Sequence, residues 1–257
     1  MTTKLKAANL NATYSADEYL KTSAAGALSW GAVDALPSQT SESGKFLTTD
    51  GSDASWAAVA SSGFTSVQVI PSTGTWTKPV GVGITKILVF ITGGGAGGNY
   101  RAGDWGTGGG AASTAIKFID VSAIASVDVT IGLGGVGGSA SDPYNAPAGG
   151  ASAFGVAPAT VHCTAGGGGA TSGTSVPGPG GTATSGDLNI TGGGGTYGGG
   201  GAGQGGASFW GNGTSARYSS GYLSPLANNI YGSGGGGSRA AASGSGGNGV
   251  CFVLEYK

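Results

Sequence analysis

The sequence predicts a mainly β protein in two parts: a small N-terminal module, residues 1–62, and a β-scaffold with stacked glycine-rich, polyglycine-II-like segments, residues 63–257. Three observations predict it. Glycine supplies 58 of the 257 residues and is clustered in runs. The chain is 39% hydrophobic and only 9% charged, the reverse of a disordered composition. Short islands rich in β-branched residues alternate with the runs, as strands do.

The islands read as strands in order. Phe64 to Ile70 alternates apolar and polar residues, the period of a half-buried strand. Ile84 to Ile91 is a longer apolar run that suits a central strand. Ser113 to Val121 and Ser126 to Ile131 are two more, close enough to form a hairpin or a corner. Val250 to Tyr256 closes the chain and returns to the same sheet.

The N-terminal module carries an internal repeat. Tyr19-Leu20-Lys21-Thr22 followed by Ser29-Trp30 matches Phe46-Leu47-Thr48-Thr49 followed by Ser55-Trp56. Asp50-Gly51 between apolar stretches is a hairpin signal. A unit this small cannot bury its own Trp and needs neighbours, which trimerisation supplies. Asn9 to Leu20 also fits a short helix, with Ser15 as N-cap and Glu18 three residues later.

The glycine runs need a physical reason, because glycine loses the most conformational freedom on ordering. Nine prolines and clustered glycines exclude collagen, which needs glycine at every third position and abundant proline. Polyglycine-II-like segments, with backbone groups bonded to neighbouring segments, supply a reason. Ordinary Gly-rich β turns are the alternative.

Composition and motifs argue against several functions. A net charge of −1 attracts neither nucleic acid nor an anionic membrane. No apolar run approaches the ~20 residues of a membrane span, so no membrane insertion is expected. The N-terminus shows no basic segment followed by an apolar core, which suits release by lysis rather than secretion. Gly132 to Gly137 matches G-x-G-x-x-G after a strand, but a turn-rich loop follows instead of a helix. His162 is the chain's one histidine, beside Cys163. Adjacent strand residues face opposite sides, so the pair reads as structural rather than nucleophilic or metal-binding. Cys251, in an apolar run, reads as a buried thiol ahead of a bridge partner. No enzyme chemistry, metal or cofactor is expected.

The candidate contact residues lie where polar and aromatic side chains interrupt the glycine. One island holds Tyr100, Arg101, Asp104 and Trp105. A second holds Tyr144; a third, Ala170 to Pro179, lacks aromatics. The longest holds Trp210, Arg217, Tyr218 and Tyr222. Loops lie on surfaces and carry function, and Tyr, Trp and Arg dominate recognition energy. Covering glycine backbones as local core is the alternative role. Trp56 and Trp76, in strand context, are assigned to the core.

Leu36-Pro37-Ser38-Gln39-Thr40, then Ser43 to Gly51, then Ala54-Ser55-Trp56, resembles a module common in bacteriophage tail fibre proteins. Phe64 to Val69, Gly74 to Pro79, Ile84 to Ile91 and Gly93 to Gly98 are similar to the start of the glycine-rich domain that ends many such fibres. Gly246 to Glu255 resembles that domain's last strand. In composition and clustering the chain is similar to the polyglycine fibre-tip adhesins of T-even phages. The resemblance implies a virion protein, a homotrimer joined to other tail fibre or baseplate proteins. It also implies that its loops adsorb to a bacterial surface receptor, either protein or polysaccharide, without a cofactor. A structural fibre component with no receptor contact is the alternative.

Overall fold

The computed structural model describes residues 40–58, 63–102, 104–139, 146–155, 160–172, 175–198, 201, 203–214, 230–239 and 242–257, and the backbone of 18–22 and 28–32. Among them every regular element is a strand. The fold is mainly β. The chain divides into two compact units, Met1–Ser61 and Ser62–Lys257.

The first unit contains two hairpins, β1 (Glu18–Thr22) with β2 (Leu28–Ala32) and β3 (Lys45–Thr49) with β4 (Ala54–Ala58). Their registers are equivalent. Leu20 lies opposite Trp30, as Leu47 lies opposite Trp56. The repeat is therefore a repeat of structure. Glu18 to Leu20 belong to a strand, because the repeat unit pairs with its own second half; this corrects the helix expected there, whose remaining residues lie outside those described. Between β3 and β4, Gly51 adopts a φ of 97°. Asp50 Oδ1 accepts the N–H groups of Ser52 (2.9 Å) and Asp53 (3.0 Å), which closes the turn. Trp56 is half-buried rather than core, and Phe46 and Leu47 stay 49% and 44% exposed. One hairpin has too little surface to cover them.

The second unit opens with β5 (Phe64–Ile70), β6 (Gly74–Thr77) and β7 (Lys86–Thr92). Then come β8 (Thr114–Asp120), β9 (Ser126–Thr130), β10 (Ser152–Phe154) and β11 (Cys163–Ala165). It ends with β12 (Ala183–Thr184), β13 (Leu188–Ile190) and β14 (Val250–Tyr256). One sheet has the order β13-β8-β7-β14-β5 and the other β12-β11-β10-β9-β6. The apolar run expected to be central, β7, is the middle strand of its sheet. The closing strand β14 pairs with both β7 and β5. β8 and β9 lie in different sheets, so the short link between them is a corner, not a hairpin.

The alternate residues that face inward form one core: Trp76, Ile87, Val89, Ile91, Val129, Phe154, Cys163 and Val253, each no more than 1% exposed. Enclosing Trp76 removes roughly 200 Å² from water, worth about 5 kcal/mol before entropy. Its indole N–H donates to Glu255 Oε1 at 2.9 Å. Glu255 is fully buried and also accepts from Gln68 Nε2 at 2.7 Å and from Ser66 Oγ. Three donors compensate the desolvation of that carboxylate.

The strands run directly into the glycine segments, and these are polyglycine-II-like. In 93–99 the donors change neighbour with a period of three, the number of residues per turn of that helix. Gly93, Ala96 and Asn99 donate to Ser113, Gly110 and Thr107. Gly94 and Gly97 donate to Gly150 and Pro147, and Gly95 and Gly98 to Gly247 and Gly244. The carbonyls of Gly95, Ala96 and Gly94 accept from Gly135, Gly235 and Gly168 on three further segments. The segment is thus bonded on all sides, in the manner of a hexagonal lattice. Segment 106–113 behaves alike, donating to 193–196, 232–235 and 166–169 and accepting from 93–99, 178–181 and 203–206. Each glycine costs about 0.5–1 kcal/mol more to order than alanine, and each bond of the lattice returns about 0.5–1.5 kcal/mol.

Close approach, not backbone freedom, requires glycine here. A Cβ on Gly132 or Gly135 would sit 2.0 or 2.1 Å from the carbonyl oxygens of Gly150 and Pro147. On Gly134 or Gly137 it would sit 2.0 or 2.2 Å from those of Gly246 and Ser243. Only the third row of this segment is free, and there stand Leu133 and Val136, 71% and 68% exposed. The G-x-G-x-x-G pattern is this three-fold code. The amides of Gly135 and Gly138 are bonded to Gly95 and Gly98, and those of Gly134 and Gly137 to Asn248 Oδ1 and Ser245 Oγ. They are not free to cradle a phosphate.

Candidate functional site at the end of the glycine bundle

Segment 93–99 leaves β7 and 106–113 enters β8, so the link between them lies at the end of the bundle remote from the sheets. The described residues that flank the other connections, Ser139 and Ala146, Ser172 and Ser175, and Gly198 and Gly203, lie at that end for the same reason. At ~3.1 Å per residue, Tyr100 stands roughly 25 Å from Thr92 at the sheet.

The neck of the first loop is closed by Asn99, which is fully buried. Its Oδ1 accepts the Thr107 N–H at 2.5 Å, and its own N–H donates to the Thr107 carbonyl at 2.9 Å. Tyr100 forms a parallel bridge to Ser238, and the Arg101 N–H donates to the Ser238 carbonyl at 3.1 Å. Arg101 Nη1 lies 2.8 Å from Asp104 Oδ2 across the tip. The Asp104 N–H donates back to the Arg101 carbonyl at 3.3 Å. An exposed pair of this kind adds at most about 1 kcal/mol but fixes the direction of both side chains. Trp105 is half-buried, and the Arg239 guanidinium lies 5.1 Å from its ring centre. Close by in sequence to the bundle end, Tyr197 is 48% exposed at the end of segment 192–198.

The structure therefore gathers Tyr100, Arg101, Asp104 and Trp105 in one place. It adds Arg239, which sequence reasoning passed over; its signal was an isolated charge after a run of glycines. Tyr144, Arg217, Tyr218 and Tyr222 lie outside the described residues.

Trp210 has a different setting from the residues of the first loop. Its ring packs 4.8 Å from Phe252 and 6.5 Å from Phe90, and its N–H donates to Thr92 Oγ1 at 2.8 Å. It is half-buried, laid on the outer face of the sheet rather than on glycine backbones. The neighbouring Phe209 stacks edge-on at 4.9 Å and caps Phe90 at 6.3 Å.

His162 and Cys163 face opposite ways. His162 lines a cleft of about 290 Å³ with Ile124, Ser126, Val127, Asp128, Gly155 and Thr160. Burial, helped by the positive charge of Lys117, holds its pKa below 6.5. Cys163 is fully buried, and burial pushes its thiol up to about 12. Cys251 is also free and buried, and burial with Cys163 nearby raises its pKa too.

Together these features define a class: a β-sandwich foot whose strands extend into a polyglycine lattice that ends in loops. The chain belongs to the glycine-rich domain family, whose family model matches residues 68–254. No curated protein matches it.

Proposed function

We propose that the chain is the glycine-rich end of a bacteriophage tail fibre and that the loops at the far end of its bundle adsorb to a bacterial surface receptor, a protein or a polysaccharide. One observation carries the reading. A lattice bonded on every side holds Tyr100, Arg101, Asp104 and Trp105, with Arg239, at the end remote from the sheets. Aromatic and guanidinium groups on such a support recognise surfaces with little ordering cost. The N-terminal module joins the chain to other fibre or baseplate proteins. Copies form a homotrimer, and several weak tips act together at high effective concentration.

The test is binding of the purified full-length chain to a panel of Gram-negative cells. Trp105→Ala and Arg239→Ala are expected to lower retention on the strains that the parent binds. Unchanged retention with an intact near-ultraviolet spectrum would sink the receptor assignment and leave the structural role.

A further inference from the structure

The outer face of the sheet β12-β11-β10-β9-β6 is polar, and it holds a cleft at the end of the domain opposite the tip loops. Val129, Phe154 and Cys163 turn into the core, so their neighbours Asp128 and His162 turn out. Strand pairing sets these two on either side of Gly155. The Gly155 N–H donates to the Asp128 carbonyl at 2.8 Å, and the His162 N–H donates to the Phe154 carbonyl at 2.8 Å. Two strand spacings, ~10 Å, separate their backbones, and Gly155 puts no side chain between them. No other residue fits there, because a Cβ would lie 2.1 Å from the Thr160 carbonyl oxygen. The cleft left open measures about 290 Å³ and is also lined by Ile124, Ser126 and Thr160. Thr75 Oγ1 donates to Asp128 Oδ1 at 2.9 Å, which leaves the second carboxylate oxygen for a ligand. The His162 ring leans on Phe154, ring centres 6.0 Å apart, and among the described residues no group hydrogen-bonds it. The face continues from the cleft as a cross-strand row, Thr130, Ala153, Thr164 and Thr184, on strands ~4.8 Å apart.

We propose that this cleft is a glycan subsite that takes one neutral sugar ring. A sugar offers hydroxyls that donate and accept around a C–H face. Asp128 supplies carboxylate acceptors, Ser126 and Thr160 bring hydroxyls, and Ile124 brings apolar surface. Burial keeps the His162 ring neutral at neutral pH, so it presents one donor and one acceptor. The volume lies at the lower end of the ~300–1,000 Å³ of small-ligand sites, which suits one ring. The row of threonine hydroxyls gives adjoining units of the glycan a surface to follow. Other ligand classes fit less well. Asp128 and His162 fall short of the three or four ligands of a metal ion, and no larger cluster exists among the described residues. A phosphate or carboxylate group would meet the Asp128 carboxylate with no cation opposite it in the cleft. The subsite is remote from Trp105 and stands or falls apart from the receptor reading of the tip.

The experiment is saturation-transfer NMR of the full-length chain with a panel of neutral hexoses, deoxyhexoses and N-acetylhexosamines. At least one is expected to bind with a Kd of about 1 mM, the scale for a ligand of about a dozen heavy atoms. Asp128→Ala and His162→Ala are each expected to weaken it about tenfold. Near-ultraviolet circular dichroism from buried Trp76 reads whether each variant is folded. If either alanine variant fails to fold, Asp128→Asn, which keeps the shape of the side chain, gives the reading instead. Trp105→Ala, at the tip, is expected to leave the signal in place. Four results overturn the proposal: no sugar binds, a folded Asp128 variant binds as the parent does, Trp105→Ala abolishes the signal, or glucosamine binds and no neutral sugar does. The third places the sugar at the tip, and the fourth makes the carboxylate a counter-ion for an amine.

Discussion

A Cβ built on Gly94 would lie 2.1 Å from the carbonyl oxygen of Leu133. The obstacle is backbone, not the movable end of a side chain. The carbonyl belongs to a neighbour that is itself bonded on the other side, since Leu133 O accepts the Gly150 N–H. A methyl group here cannot be absorbed by rotating anything. It must push two segments of the lattice apart.

Gly94→Ala is therefore expected to cost about 1–3 kcal/mol or more. Gly194, on the rim, supplies the control, because the nearest atom to its Cβ position is 3.6 Å away. Gly194→Ala is expected to be neutral or to stabilise by about 0.4–1 kcal/mol, through the unfolded chain. Thermal melting of both variants checks the pair. A small, equal effect at both sites would show that the lattice is looser than its hydrogen bonds imply.

The thiols give a second prediction. Burial pushes Cys163 up to about 12, and Cys251 is raised as well, so neither carries thiolate at neutral pH. A disulfide-exchange reagent is expected to find no fast-reacting thiol in the native protein and two after denaturation. Rapid modification of either in the native state would contradict the packing of the core.

Acid stability tests the setting of His162. The folded state holds its pKa below the ordinary 6.5, so the unfolded chain takes up the proton first as pH falls. The stability this residue contributes is present above 6.5 and is lost as pH falls from there toward the folded value. The carboxyls of Asp50, Asp120 and Asp187 are held below 3.8 by backbone N–H donors and act only in stronger acid. The chain has one histidine, so His162→Gln is expected to flatten denaturation midpoints between about pH 7 and about pH 5. A slope unchanged in that variant would place its origin elsewhere.

The strands were legible because alternation of side chains is a local property. Phe64 to Ile70 announces its alternation but not its inward face: Val67 and Val69 are half exposed, while Ser66 and Gln68 turn in to bond the buried Glu255 carboxyl. The corner between β8 and β9 was not legible, since the same spacing serves a hairpin. The three-fold code was present in Gly-Leu-Gly-Gly-Val-Gly-Gly but ambiguous, because a dinucleotide loop spells the same letters. Which segment lies beside which is carried by backbone bonds between residues far apart, such as Gly95 with Gly247. No side chain marks those partners.

The two tryptophans of the aromatic islands share a residue type and a glycine-rich context, and only the fold separates them. Trp210 is fastened to the sheet through Thr92 and Phe252, whereas Trp105 lies at the far end under Arg239. Trp210→Ala removes ring contacts and leaves the Thr92 hydroxyl short of a donor, so it should cost about 1–3 kcal/mol, less than for a fully enclosed Trp. Trp105→Ala, at a half-buried site under Arg239, should cost less, about 0.5–1 kcal/mol. On cells the ranking is expected to reverse: Trp105→Ala loses retention, while Trp210→Ala, assayed well below its melting point, keeps it. Paired melting and cell-retention measurements decide this. Equal loss of retention from both would mean that folding, rather than contact, governs the assay, and the tip would lose its claim to the receptor.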